Sequence, residues 1–149
     1  NQENGGEKMP NQGEKPKNSA APDPLKRMGL KGVVLVVDGV KLMRMSLCRV
    51  LRSAGHRVFE AEDGTEALAM LPYQDMDLVI ADIRIPDMNG LEMVQQIRVN
   101  PKTANIPVLM CTATKRKSDI VQAARLGIQG FLMKPVSPAS LLLKNDRYS

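Results

Sequence analysis

Short apolar runs alternate with segments of helical period along the chain from residue 33 onward. The run 33–37 reads Val-Val-Leu-Val-Val and is rich in β-branched side chains, which is typical of a strand buried on both faces of a parallel sheet. Apolar side chains then recur at steps of three and four from Met43 to Ala54, and Gly55 follows them as a helix stop. This pattern predicts a strand followed by a helix.

The same unit of strand and helix repeats four more times. Further strands are predicted at 58–61, 77–81, 106–111 and 130–133, and Asp63 with Glu66 forms the predicted cap of the second helix. A last, short helix is predicted at 138–144. The fourth helix begins at about Ser118 and is expected to bury Ile120, Ala123, Ala124 and Leu126. Five strands alternating with five helices predict an α/β fold, a doubly wound parallel sheet with right-handed crossovers.

The chain divides into one domain and two tails. Residues 1–32 hold four prolines, five glycines and few large apolar side chains, without helical or alternating periodicity. Such a segment cannot bury enough apolar surface to offset the entropy of ordering, so it is predicted to be a flexible N-terminal tail or linker. Residues 33–144 form the predicted domain, and 145–149 a C-terminal tail.

The composition narrows the classes of function. Of the 149 residues, 43% are hydrophobic and 25% charged, and the net charge of +5 is scattered rather than gathered into a basic stripe, so nucleic acid is not an expected partner. Cys48 and Cys111 lack the spacing of a metal site or a redox pair and are predicted to be small buried hydrophobes. His56 is expected in a solvated turn. No apolar run reaches the roughly 18 residues of a membrane span, so we expect a cytoplasmic protein.

Chemically active side chains follow four of the predicted strands. Asp38 follows the first strand, Asp82 the third, Thr112 the fourth and Lys134 the fifth. Ligand sites in doubly wound sheets lie outside the carboxyl ends of the strands. We therefore expect two carboxylates, a hydroxyl and an ammonium to converge on one edge of the sheet.

These residues and their neighbours resemble the receiver domain of bacterial two-component response regulators. The resemblance covers residues 33 to about 144 and rests on Val36-Val37-Asp38, Ile80-Ala81-Asp82 with Pro86 and Asn89-Gly90 downstream, Cys111-Thr112-Ala113, and Lys134-Pro135 after Gly130-Phe131. It implies the flavodoxin-like (βα)5 fold with strand order 2-1-3-4-5. It also implies a phosphorelay signalling protein that is not an enzyme, beyond self-phosphorylation and autodephosphorylation at Asp82.

The resemblance implies a role for each residue of the site. Asp82 would be the phosphoacceptor, which receives a phosphoryl group from a histidine kinase or phosphotransfer protein. Lys134 would pair with that carboxylate and then with a phosphoryl oxygen, and Thr112 would hydrogen-bond another phosphoryl oxygen. Phe131 stands at the position of the aromatic switch, although a core aromatic is an equally good interpretation. Pro135 is a candidate for a cis peptide bond.

The metal site departs from the family pattern. The resemblance implies Mg²⁺ held by an acidic pair after the first strand, by Asp82 and by the backbone carbonyl of Arg84, but this acidic pair reads Asp38-Gly39. Glycine offers no ligand, and Mg²⁺ demands a near-octahedral set of oxygens. We therefore expect Mg²⁺ binding to be weak or absent. One hypothesis is that the Arg84 guanidinium partly fills the vacancy.

Two functions remain open at this point. The first is a receiver phosphorylated at Asp82, with a downstream protein target or dimer partner bound through the 118–144 face. The second is a pseudo-receiver, a protein-interaction module that does not need phosphorylation because of Gly39. A phosphohydrolase of the dehalogenase type would need Asp-x-Asp after the first strand, and a flavodoxin would need a hydroxyl-rich phosphate loop there. The sequence Asp38-Gly39-Val40-Lys41 fits neither.

Overall fold

Five parallel strands form a single central sheet in the computed structural model, which describes residues 32–113 and 116–134. The strands are β1 (Val33–Val37), β2 (Arg57–Ala61), β3 (Leu78–Asp82), β4 (Val108–Thr112) and β5 (Gly130–Met133). Their order across the sheet is β2-β1-β3-β4-β5, and every neighbouring pair is parallel. The predicted doubly wound α/β fold and strand order are confirmed.

Helices connect the strands. In the described part of the chain they are α1 (Lys41–Ser53), α2 (Gly64–Met70), α3 (Gly90–Val99) and α4 (Lys117–Arg125), and Leu71–Tyr73 form a 3-10 turn. After β3, the residues Arg84–Ile85 and Met88–Asn89 form a short antiparallel ladder. The predicted helix at 138–144, the C-terminal tail and nearly all of the N-terminal tail lie outside the described residues.

The alternation of side chains along β1 explains the two-sided core. Val34 and Val36 belong to a buried cluster that includes Leu51 of α1. Leu35 belongs to a second cluster that includes Val94 of α3. Because successive side chains of a strand point to opposite faces, a continuous apolar run requires cover on both sides. The helices provide that cover.

Side-chain caps set where two of the helices begin. The Asp63 carboxylate accepts the backbone N–H of Glu66 at 2.8 Å, so the predicted cap of α2 is confirmed. Asn89 and Glu92 form a reciprocal capping box at the start of α3, which the sequence analysis did not predict. This box satisfies backbone N–H groups at the N-terminus of α3 and thereby fixes where the helix begins.

The prediction that His56 is solvated is wrong. Its residue is only 8% exposed, and its backbone N–H donates to the carbonyl of Leu51 at 3.1 Å. Gly32 explains the difference, because a Cβ at that position would collide with the imidazole. The absent side chain leaves the space that the His56 ring occupies.

The predicted inward face of α4 is only partly correct. Ala123 is fully buried and Leu126 is half-buried, but Ile120 is 38% exposed and Ala124 is also exposed. The helix therefore contacts the core through a narrow stripe. A small side chain at the centre of such a stripe allows close approach while its neighbours stay in solvent. Among the described helices, none is long and apolar enough to cross a membrane.

Candidate functional site

The sheet hydrogen bonding continues to the carboxyl ends of the strands and brings the predicted residues to one edge. Asp82 lies beside Cys111 in the register of β3 and β4. The backbone N–H of Lys134 donates to the carbonyl of Thr112 at 2.9 Å, and that of Asp38 donates to Ala61 at 3.1 Å. These strand ends are thus held next to one another by backbone geometry.

Lys134 joins the two carboxylates. Its Nζ lies 3.1 Å from Oδ2 of Asp38 and also donates a short hydrogen bond to Oδ2 of Asp82. Asp38 and Asp82 are only 6% and 8% exposed. Three charged groups from the ends of β1, β3 and β5 therefore meet in one buried cluster.

The charge of Lys134 is stabilised by its partners. Burial lowers the pKa of the ammonium, but the hydrogen bond and negative charge of Asp82, followed by the charge of Asp38, outweigh burial and hold the pKa above its usual value. A negative charge close to an ammonium favours its charged form. The ammonium therefore remains protonated at neutral pH.

An open pocket of about 400 Å³ adjoins the Lys134 cluster. It is lined by Asp82, Arg84, Thr112, Ala113 and Lys134. Thr112 is buried at the end of β4, whereas the Arg84 side chain is exposed. A carboxylate, a hydroxyl and two cationic side chains thus border one space large enough for a small anion.

Backbone contacts orient the carboxylate of Asp82. Its Oδ1 accepts the backbone N–H of Arg84 at 3.2 Å, and the next residue, Ile83, donates to Cys111 at 3.1 Å. Gly90 packs directly behind the strand end, and a Cβ there would collide with the backbone carbonyl of Asp82. Gly90 of the Asn89-Gly90 pair therefore has a steric role beside the carboxylate.

A partly buried ion pair between Arg44 and Glu60 lies beside the segment that carries Asp38. The backbone carbonyl of Asp38 accepts a hydrogen bond from the Arg44 guanidinium at 2.7 Å, and Nε of Arg44 pairs with Glu60 of β2 at 3.0 Å. Oδ1 of Asp38 accepts the backbone N–H of Val40 at 2.8 Å. Neither Arg44 nor Glu60 was predicted from the sequence, although a charged residue directly after Met43 in an amphipathic helix was the available signal.

The loop after β3 is tied to the start of α2. The Asp87 carboxylate accepts the backbone N–H groups of Gly64 at 2.8 Å and Thr65 at 2.9 Å. The Thr65 hydroxyl also donates to it, and this hydrogen bond lowers the pKa of Asp87. The neighbouring Pro86 packs so closely that a Cβ on Gly39 would lie 2.7 Å from its Cγ.

The donors present do not fit a magnesium ion. Of the predicted ligands, Asp38 already uses one carboxylate oxygen for Val40 and the other for Lys134, and Asp82 also pairs with Lys134. Gly39 contributes no oxygen from a side chain. Within residues 32–113 and 116–134, no group of three or more His, Cys, Asp or Glu side chains could hold a metal ion. The ammonium of Lys134 is hydrogen-bonded to one oxygen of each carboxylate.

Phe131 lies apart from the charged cluster. It is half-buried on β5, pairs in register with Met110 of β4 and packs against the core cluster that includes Leu35. It is not among the residues that line the pocket. Its role as a switch stays a prediction, as does the cis bond at Pro135, which lies outside the described residues.

The two cysteines are buried thiols, as predicted. Both are free. Burial raises the pKa of Cys48 to about 11 and that of Cys111 to about 12. Because the thiolate is the reactive form, neither side chain is suited to act as a nucleophile near neutral pH.

Comparison with known proteins identifies the family. Residues 34–145 match the family model described as the response regulator receiver domain. The chain belongs to this family. The receiver-domain resemblance seen in the four sequence motifs is thus confirmed. Receiver domains are in general signalling modules rather than enzymes, and they typically bind Mg²⁺, so the poor fit of this site to that ion is a departure within the family.

Similar receivers come from bacterial chemotaxis. The chain is 36% identical over 115 residues to chemotaxis protein CheY-3 of Vibrio cholerae, covering 76% of this chain and 88% of the relative. It is 33% identical to chemotaxis protein CheY of Pseudomonas aeruginosa, covering 76% and 93%. The solved structure of CheY4 of Vibrio cholerae superposes with a TM-score of 0.73 at 32% identity, covering 79% of this chain and 98% of that one.

Proposed function

We propose that this receiver accepts a phosphoryl group on Asp82 from a histidine kinase or a phosphotransfer protein and thereby changes its protein-interaction surface. One observation carries the proposal: the buried Asp82 carboxylate is hydrogen-bonded to Lys134 and borders the open pocket. The carboxylate is therefore both accessible from that pocket and balanced by a cation.

The transfer needs charge and geometry rather than an acid or a base. A carboxylate oxygen of Asp82 attacks the phosphorus of a phosphohistidine, the P–N bond breaks, and its electron pair remains on the imidazole nitrogen as the O–P bond forms. Two anions must approach each other, so nearby positive charge lowers the barrier. At 4 Å and an effective dielectric constant near 20, one such charge contributes about 4 kcal/mol.

Lys134 and Thr112 are the residues that would respond to the new group. The ammonium of Lys134 would transfer one of its hydrogen bonds from the carboxylate to a phosphoryl oxygen. The hydroxyl of Thr112, at the end of β4, would donate to another, and the segment that follows β4 would move with it. We place the resulting surface on 118–144, with a downstream protein target or a second receiver as partner. Nucleic acid and membrane are not proposed as partners, and action in the cytoplasm stays a prediction.

The pseudo-receiver remains the second candidate because of Gly39. The retained contact between Asp82 and Lys134 favours phosphorylation, since a module that does not use the chemistry has no need of a buried carboxylate beside a pocket. Charged groups that lie in a cleft and have perturbed pKa values belong to a functional site more often than other charged groups do. Phosphorylation of the protein by acetyl phosphate separates the two candidates.

The test is incubation with acetyl phosphate, with and without Mg²⁺, followed by intact mass measurement. We expect wild type to gain the mass of one phosphoryl group and Asp82→Asn to gain none. Asp75→Asn is the matched control, because Asp75 is an exposed aspartate in the loop before β3. Labelling of Asp82→Asn at the wild-type level would contradict the assignment of the acceptor. Absence of labelling in wild type under both conditions would favour the pseudo-receiver.

A further inference from the structure

The charged groups around the pocket balance without a divalent ion. Asp38 and Asp82 carry two negative charges, and Lys134 and Arg84 carry two positive charges. In the part of the chain that the structure describes, both carboxylates pair with Lys134 and neither forms an ion pair with Arg84. The Arg84 guanidinium is therefore a cation at the pocket wall that the two carboxylates do not use.

The space that a metal ligand would need is also occupied. A Cβ on Gly39 would lie 2.7 Å and 2.8 Å from Cγ and Cδ of Pro86, and a proline ring cannot rotate away as a flexible side chain can. Pro86 is itself held in place because Asp87 binds the start of α2. The absence of a carboxylate at position 39 is thus accompanied by closure of the loop over that position.

We propose that this pocket takes a phosphoryl group without a divalent ion, with Arg84 and Lys134 supplying the positive charge. The inference rests on the proposed function, because it concerns the phosphoryl group that Asp82 would receive. A guanidinium presents a planar fork of N–H donors that matches two phosphoryl oxygens, whereas an ammonium acts as a point charge. The two side chains border the same pocket as the acceptor carboxylate.

Backbone contacts hold Arg84 beside the acceptor carboxylate. Its N–H donates to Oδ1 of Asp82 at 3.2 Å, so its Cα lies beside the acceptor carboxylate. Arg84 also pairs in register with Asn89 in the short ladder, which fixes the backbone on the far side of the loop. Arg84 takes no part in making or breaking bonds. It would contact the phosphoryl oxygens, on which negative charge is concentrated during transfer and in the product.

The experiment compares labelling by acetyl phosphate in EDTA and in Mg²⁺. We expect wild type to be labelled at the same rate in both, and Arg84→Ala to be labelled about tenfold more slowly in EDTA, which is less than the loss typical of a fully buried donor because Arg84 is exposed. Arg84→Lys should fall between the two, since it keeps the charge and loses the fork. Arg49→Ala is the matched control, because Arg49 is an exposed arginine on α1 and does not line the pocket.

The outcomes separate this inference from the proposed function. Labelling of wild type only with Mg²⁺ would overturn the inference and leave phosphorylation of Asp82 standing. Equal labelling of Arg84→Ala and wild type in EDTA would overturn the role of Arg84. If wild type is not labelled under either condition, the proposed function fails and the inference falls with it. As a second measurement, saturable Mg²⁺-induced shifts of the Asp82 and Gly39 amides by NMR would also count against the inference.

Discussion

The partly buried ion pair between Arg44 and Glu60 allows a quantitative prediction, because its two members differ in burial. The Arg44 side chain is 9% exposed and the Glu60 side chain 32%. Glu60 has a second partner, Arg52, at 3.3 Å, whereas the Asp38 carbonyl is the other acceptor that the Arg44 side chain has among the described residues. Removing the acid should therefore cost more stability than removing the base.

The magnitudes follow from what each substitution leaves behind. Glu60→Ala leaves a buried guanidinium with one neutral acceptor, and an unpaired buried charge of this kind costs about 3 kcal/mol. Arg44→Met retains an apolar side chain of similar length and leaves the Asp38 carbonyl without its donor, which costs about 1 to 2 kcal/mol. The double variant should lose less than the sum of the two, because the second change removes a group that the first left uncompensated.

Urea unfolding followed by far-UV circular dichroism measures these differences, since the chain has no Trp to serve as a fluorescence probe. A loss of 1 kcal/mol corresponds to about 4 °C in melting temperature for a domain of this size. Glu62→Ala is the control, because Glu62 is exposed and follows the same strand. Equal destabilisation by Arg44→Met and Glu60→Ala, or simple addition of the two losses in the double variant, would contradict this prediction.

Three further predictions concern other parts of the molecule. Arg98 donates to four backbone carbonyls at the end of α4 and in the loop before β4, so Arg98→Ala should lower the unfolding free energy by about 2 kcal/mol, with partial recovery in Arg98→Lys. Gly90→Ala should cost about 2 kcal/mol and shift the Asp82 amide in NMR spectra, because its Cβ meets the Asp82 carbonyl. Because the pKa of Lys134 is raised in the folded protein, the contribution of its ammonium to the free energy of unfolding is complete below pH 10.5. This contribution is lost as the pH rises through the folded-state pKa. The stability difference between wild type and Lys134→Met, measured by urea unfolding, should therefore shrink only above pH 10.5.

Contrary results are equally definite. Arg98→Ala unfolding at the wild-type urea midpoint would mean that the guanidinium does not hold these carbonyls together in solution. An unchanged Asp82 amide in Gly90→Ala would show that the loop relaxes freely. A difference between Lys134→Met and wild type that already shrinks near neutral pH would assign the titration to another group.

The strands were predictable because each is buried on both faces, which leaves an unbroken apolar run in the sequence. The residues at which the strands begin and end were less predictable. The fourth strand was predicted at 106–111 but spans Val108–Thr112. Pro107 explains part of this difference, because proline has no N–H to donate to a ladder, although its carbonyl accepts Val79 at 2.9 Å. Apolar character predicts burial, whereas strand limits depend on hydrogen bonding.

The meeting of Asp38, Asp82 and Lys134 was also predictable, since it requires only that parallel strands end at one edge. What the sequence could not provide is how the side chains share their partners. Arg44 lies in a helix whose apolar period was clear, yet the partner that permits its burial, Glu60, comes from another strand. Pairings of this kind depend on register and side-chain conformation, which periodicity does not encode.

Gly39 shows how the two kinds of information combine. The sequence indicates that a carboxylate is missing, and by itself this would suggest an empty position beside Asp38. In the structure Pro86 fills that position and Lys134 bridges the carboxylates, so restoring an acid would require the loop to move and would add a negative charge to a balanced cluster. The absence of a carboxylate at position 39 thus goes together with the packing of Pro86 and with the charge balance of the cluster. The chemistry of this receiver must therefore be tested as an arrangement of these groups rather than inferred from a single substitution.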